Sequence, residues 1–271
     1  MLQLVSKHGI NLDDSNIYMD IDGLVSAGTE NTQLTWMDAK VSNMAVTPRS
    51  GKAVEVNSLW YNALRTIEDL ARRFEDKETE EYYSKLADKV KTNFNEKFYN
   101  EKNKCLYDVL GSEEIRPNQL FALCTTYPVM ELSNDRPKEM LKVVTKELYT
   151  KFGLATLSPK DPKYVPIYEG DSYRRDMSYH QGITWPWLAG IYVGAYKTLI
   201  NNEQNEEEKQ RLEKEYEKVI ENYKKYFTQA LHEAAIGTIS EVYDSCMPYR
   251  PGGTIAQAWS VSEAIKIMLE K

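Results

Sequence analysis

The chain has 271 residues, enough to bury a sizeable core in one or two domains, and its 42% hydrophobic and 28% charged residues are ordinary for a soluble globular protein. A net charge of −7 argues against nucleic acid as a partner, because phosphate neutralisation needs a basic surface. Three widely spaced cysteines (Cys105, Cys124, Cys246) imply neither a disulfide framework nor a zinc cluster, and no signal peptide or membrane-length apolar run is visible, so a cytoplasmic location away from membranes is expected.

The predicted elements are helices. "MLQLVSKHGI" reads as the end of one. After a polar loop carrying "TWMD" and "TPRSGK", Val56, Leu59, Trp60, Ala63, Leu64, Ile67, Leu70, Ala71 and Phe74 recur at three- and four-residue steps, predicting a helix over 55–76. Leu86, Val90, Phe94 and Phe98 form a stripe on a charged helix over 78–98. Further helices are expected over 117–127, 137–151, 180–200, 206–234 and 254–270. Alternating apolar and polar residues with hairpin turns are almost absent, so the expected class is all-α.

The helices near 55–76, 117–127, 180–200 and 254–270 start with apolar, aromatic-rich turns, as buried inner helices do. Those near 78–98, 137–151 and 206–234 have one apolar stripe and a charged outer face. Each inner helix follows a polar or kinked loop marked by Arg49, Arg116, His180 or Arg250, at intervals of roughly 65–70 residues. Such a repeat of helical hairpins gathers its loops at one end, where function is commonly carried.

Two carboxylates on these loops could do chemistry, Asp38 in the first and Glu241 in the last. If the hairpins close into a ring, the two face each other across its mouth. Paired carboxylates beside aromatic residues are the minimum machinery of glycoside hydrolysis. Taken singly, an aspartate in this setting is more often a cap or loop acceptor. A glutamate such as Glu241 is more often a surface partner for a cation such as Arg250.

Three segments weigh against the single-residue readings: "LTWMDAKV…TPRSGKAVEVNSLWYNAL", "YHQGITWPWLAGIYVGAY" and "SEVYDSCMPYRPGGTIAQAWSVSEAI". Together they resemble the amylo-α-1,6-glucosidase domain of glycogen debranching enzymes, within the glucoamylase-like α/α-toroid glycosidases. The resemblance runs from about Gly23 to the C-terminus. It implies an α/α toroid of six helical hairpins and inverting hydrolysis of α-1,6-linked glucose at branch points of glycogen or limit dextrin, with no cofactor. The family's "TWMD" aspartate maps to Asp38 as general acid. The glutamate of its second motif maps to Glu241 as general base, with Asp244 as runner-up. An inverting pair is expected to stand about 6.5–9.5 Å apart.

Other matched positions receive binding roles. Trp36 would wall the sugar site. Arg49 and Lys52 would donate to hydroxyls or form structural ion pairs. His180 and Gln181 would stand at the site's mouth, with one of Trp185 and Trp187 facing ligand and the other the core. Gln257 and Trp259 would touch sugar or brace the base loop. No metal is expected at His180, since three histidines and no second ligand at helical spacing make a poor site.

Two departures from the family pattern stand out. "DSCMPYRPGG" replaces a loop usually richer in glycine, which bears on branch-point preference. The visible helices number about eight of the twelve that a closed toroid needs, so the whole chain, 1–271, is expected to be one catalytic domain lacking two N-terminal hairpins. Exposed inner flanks would then be covered by homodimerisation or a partner segment. The alternatives are a catalytically inactive carbohydrate-binding or regulatory fragment and a helical-repeat interaction scaffold.

Overall fold

A computed structural model of the chain describes residues 16–270. The opening helix expected at "MLQLVSKHGI" lies outside them. The described residues begin with two small antiparallel pairs, β1 (Tyr18–Met19) with β2 (Val25–Ser26) and β3 (Lys40–Val41) with β4 (Met44–Ala45). Helix α1 (Val54–Arg73) follows, with Glu55 in its first turn and Arg72 and Arg73 in its last, both matched to the helix dipole. Glu75, at φ 59°, turns the chain, and Asp76 then caps α2 (Lys77–Lys97) by accepting a bond from the Thr79 amide.

Beyond the hairpin β5 (Tyr99–Asn100) and β6 (Cys105–Leu106), a 3₁₀ turn over Pro117–Leu120 leads into the single-turn α3 (Phe121–Cys124). Next come α4 (Arg136–Leu148), β7 (Tyr149–Thr150), β8 (Gly153–Ala155), α5 (Ser172–Ser178) and β9 (Thr184–Trp185). Helices α6 (Leu188–Asn202) and α7 (Glu206–Ala230) are followed by β10 (Val242–Tyr243), β11 (Pro251–Gly252) and α8 (Ala258–Met268). Asn205 caps α7 and three glutamates fill its first turn.

Helices α1, α3, α6 and α8 pack in sequence against one another, while α2, α4 and α7 lie against this row from outside. The inner row is the more apolar set, and buried aromatic residues such as Phe94, Trp185, Tyr192 and Tyr223 fill the space between the layers. Two inner helices keep apolar residues in solvent: Leu59 and Leu70 on α1, and Ile265 on α8 with Leu269 beyond its end.

The chain is predominantly rather than purely helical. Strands β7 to β11 form an antiparallel five-stranded sheet in the order β11-β10-β9-β8-β7. These strands hold two or three residues each, too few to display alternation, so the sequence pattern did not announce them. The helix expected over 180–200 starts at Leu188 instead. Gly182, at φ 137°, and Pro186 interrupt the helical pattern, and the backbone between them becomes β9. This sheet sets the functional geometry, because it places Tyr243 opposite Thr184 and Val242 opposite Gly252. The residues before β9, before β10 and after β11 are thereby brought to one place.

Candidate active site

Glu241 immediately precedes β10 and is half-buried. Tyr179 donates its hydroxyl proton to Oε1, and the Thr254 amide donates to Oε2 at 2.8 Å. The Glu241 amide in turn donates to the Thr254 carbonyl at 2.9 Å, closing a two-way clasp between the strand and the turn after β11. Both carboxylate oxygens are acceptors with fixed partners, and each keeps a second lone pair. Glu241 makes no ion pair with Arg250, which goes instead to Asp244 and Glu169.

Tyr179 is the Glu241 partner that sequence reasoning missed, although it stands next to His180 in a motif singled out for other members. Burial drives its hydroxyl to titrate well above the ordinary phenol range. The hydrogen bond to Glu241 and the charges of Glu241, Tyr168 and Asp38 act in the same direction. It therefore stays a donor at any working pH. Asp38 itself is exposed and, among the described residues, has no hydrogen bond or ion pair. The cap or loop-acceptor reading of Asp38 finds no support.

An aromatic wall stands beside the pair. Trp36 sets its ring nearly perpendicular to those of His180, Trp185 and Trp187, at centroid distances of 5.3, 5.5 and 4.9 Å. Trp187 stacks on Trp259 at 5.1 Å. Trp185 is buried, whereas Trp36 and Trp187 are half-buried and Trp259 is exposed, so the outer three offer apolar ring surface to solvent. Trp36 is fixed by its indole N–H, which donates to Asn118 at 2.6 Å.

Several residues expected at sugar contacts already hold structural partners. Arg49 is 6% exposed; it makes a bidentate pair with Glu55 and a second with Asp108, at 2.6 and 3.0 Å. Burial opposes its charge, but the two carboxylates outweigh that and hold the guanidinium protonated. Lys52 is committed to Asp20 at 2.7 Å and Asp22 at 2.8 Å. Gln181 is buried, accepting from Arg116 and donating to the Val46 carbonyl, so it stitches two loops together. Gln257 caps α8, accepting from the Ala258 amide. Asp244, the second candidate for the base, is buried and held by Arg250 and the Tyr168 amide. Arg49, Gln181 and Asp244 cannot turn to a ligand without breaking what they already hold, whereas Lys52 keeps one N–H and Gln257 its side-chain NH2 uncommitted.

His180 departs furthest from its expected place at the mouth. It is fully buried, stacked on Trp185 at an interplanar angle of 13°, and among the described residues neither ring nitrogen has a hydrogen-bond partner. Burial, aided by the nearby charges of Arg116 and Arg49, lowers its pKa to about 3. An unfolded histidine takes up a proton near pH 6.5. The unfolded chain therefore binds more protons between those values. Stability from this residue is complete above about pH 6.5 and falls as pH drops toward 3, by up to about 1.4 kcal/mol per unit. Urea titrations at pH 7 and pH 4.5 should show His180→Phe losing less stability on acidification than the parent. Equal losses would remove His180 from the account.

Gly253 supplies the closest approach in the site. Its φ of 68° is left-handed, and a β-carbon there would fall 2.5 Å from Glu241 Oε2. Gly253→Ala should therefore push the carboxylate off its clasp and reduce kcat by about 10²-fold, the scale of a misplaced catalytic group. A wild-type kcat in a folded Gly253→Ala protein would show that this clasp is not needed.

Residues 2–266 match the family described as Amylo-alpha-1,6-glucosidase. The chain is 26% identical over 243 residues to the glycogen debranching enzyme of Saccharomyces cerevisiae, a match covering 72% of this chain and 15% of that protein. Among solved structures, a sialidase superposes with a TM-score of 0.64 at 13% identity, covering 86% of this chain and 21% of the other. An uncharacterized conserved protein from Thermus thermophilus gives 0.50 at 12% identity, over 80% and 48% of the respective chains. At these identities the two structures speak to the fold alone.

Proposed function

We propose, since the chain belongs to the amylo-alpha-1,6-glucosidase family, that it is an inverting glycoside hydrolase acting on α-1,6-linked glucose at branch points of glycogen or limit dextrin. One observation carries the reading. Glu241 is clasped by Tyr179, whose ring packs on Trp185, and the exposed Asp38 lies two residues from Trp36, so both carboxylates adjoin one wall of partly open tryptophans.

Asp38 is the proton donor in this scheme. Unpaired and open to solvent in the free protein, it takes up a proton from water when substrate binds and delivers it to the glycosidic oxygen as the bond to C1 breaks. Glu241 takes a proton from a water, which attacks C1 from the opposite face, so the product is the β-anomer. Tyr179 and the Thr254 amide prevent the Glu241 carboxylate from swinging toward C1 itself. The indole faces of Trp36, Trp187 and Trp259 suit the C–H face of a pyranose. The chain spans 15% of the yeast relative's length, so the substrate of that larger protein enters here as part of the proposal.

Anomeric proton NMR during hydrolysis of a phosphorylase limit dextrin tests this reading. Early release of β-glucose supports the assignment, and early α-glucose removes the inverting mechanism. Binding of maltose without turnover by the folded chain would favour a carbohydrate-binding fragment instead.

A further inference from the structure

The segment between β8 and α5 is laced to the loop that follows Glu241. The Tyr168 amide donates to Asp244 Oδ1 at 2.8 Å, and the Ser245 amide donates to the Pro166 carbonyl at 2.8 Å. Arg250 pairs with Asp244 at 2.9 Å and with Glu169 at 2.8 Å. These ties give Asp244 and Arg250 a purpose, because they hold residues 166–169 in register with the strand that carries Glu241.

The ring of Tyr168 is fixed as well as its backbone. It packs on Tyr179 at a centroid distance of 5.6 Å, continuing the aromatic surface of Trp185 and Tyr179 past Glu241. A β-carbon on Gly252 would fall 2.8 Å from its Cδ1, so β11 can lie this close only because residue 252 has none. The paired glycines thus serve two neighbours: Gly252 leaves room for the Tyr168 ring and Gly253 for the Glu241 carboxylate.

The two tyrosines differ in what their hydroxyls do. Tyr179 gives its proton to Glu241, whereas the half-buried Tyr168 makes no side-chain hydrogen bond among the described residues. Burial raises the pKa of the Tyr168 hydroxyl; Arg175 works against this, and Glu241 and Asp176 add to it. The group therefore stays protonated near neutral pH, a donor held in place beside Glu241 with nothing in the protein to donate to.

We propose that Tyr168 is a further substrate-binding residue, its hydroxyl donating to a hydroxyl of the glucosyl unit held beside Glu241. The proposal rests on the reading of Glu241 as part of a sugar site. A side chain that only filled the gap between Gly252 and Tyr179 would need no hydroxyl, and phenylalanine would serve. One donor at a fixed place recognises a hydroxyl at one carbon of the sugar and discriminates against an analogue that lacks it.

Calorimetric titration with methyl α-isomaltoside and its monodeoxy analogues tests this without requiring turnover. For the parent, removal of one particular hydroxyl of the non-reducing glucose should raise Kd by about five- to tenfold, the scale of a single neutral hydrogen bond. Tyr168→Phe should weaken binding of the full sugar by a similar factor, no longer distinguish that one analogue, and melt at the parent temperature. Gly252→Ala, which displaces the ring, should lose the same discrimination. The proposal is overturned if Tyr168→Phe binds like the parent, if it keeps every deoxy preference of the parent, or if the folded parent shows no saturable binding of the sugar. Failure of the glycosidase reading would look different. Sugar bound with this discrimination but never hydrolysed would remove the hydrolase and leave Tyr168 in its role. Release of β-glucose by a parent that Tyr168→Phe matches in binding would do the reverse.

Discussion

Glu241→Gln and Asp38→Asn are each expected to lower the rate of glucose release by about 10²–10⁴-fold, the usual yield of positioned acid–base groups, while leaving the melting temperature nearly unchanged. The two losses arise differently. Glutamine at 241 still accepts from Tyr179 or the Thr254 amide, so the clasp is largely kept, but it cannot take a proton from water. Asparagine at 38 removes a proton donor that, among the described residues, makes no other bond, so the fold has nothing to lose there. Their dependence on the leaving group separates the roles. A substrate with an acidic leaving group, such as a glucosyl fluoride, needs little protonation and should restore much of the rate to Asp38→Asn but not to Glu241→Gln. If both variants kept the parent rate on limit dextrin, the pair would be misassigned. Equal rescue of both by the fluoride would mean that the roles of acid and base are not divided as proposed.

What was legible in the sequence follows from range. Helices α1, α2 and α7 carry several turns of apolar periodicity, so their existence could be read directly, and their charged outer faces mark which side meets water. The alternation of inner and outer helices followed from the same pattern. Asp38, Glu241 and the tryptophans were singled out because each sits in a long motif. What a single sequence could not supply was the partner of each polar group. Arg49 and Lys52 look free to bind sugar until Asp108, 59 residues on, and Asp20 and Asp22, 32 and 30 residues back, are placed beside them. Tyr179 reaches Glu241 across 62 residues. The sheet that brings those two together is built from strands too short to leave a period, and only Gly182 and Pro186 hinted that the chain there was not helical.

Arg49→Met is expected to destabilise the protein by about 3–5 kcal/mol, because it strips the counter-charge from Glu55 and Asp108, both nearly fully buried. At the scale of a domain this size, that lowers Tm by roughly 10 °C. Arg116 cannot substitute for the lost guanidinium. Its Nε lies 3.8 Å from Asp108, and its own hydrogen bonds are given to Glu114, Gln181 and the carbonyls of Thr156 and His180. The damage should reach the site through a defined route. Asp108 accepts from Asn118 at 2.7 Å, and Asn118 accepts from the Trp36 indole, so loosening Asp108 frees the tryptophan that anchors the aromatic wall. The loss should therefore appear in stability and KM together. Adding Glu55→Gln to Arg49→Met should recover part of the stability, since it removes one of the stranded charges. A sugar-donating arginine predicts the reverse pattern, in which KM rises, Tm holds, and the second substitution recovers nothing. Thermal melts of the single and double variants, read beside KM, decide between an arginine that binds substrate and one that holds up the wall the substrate meets.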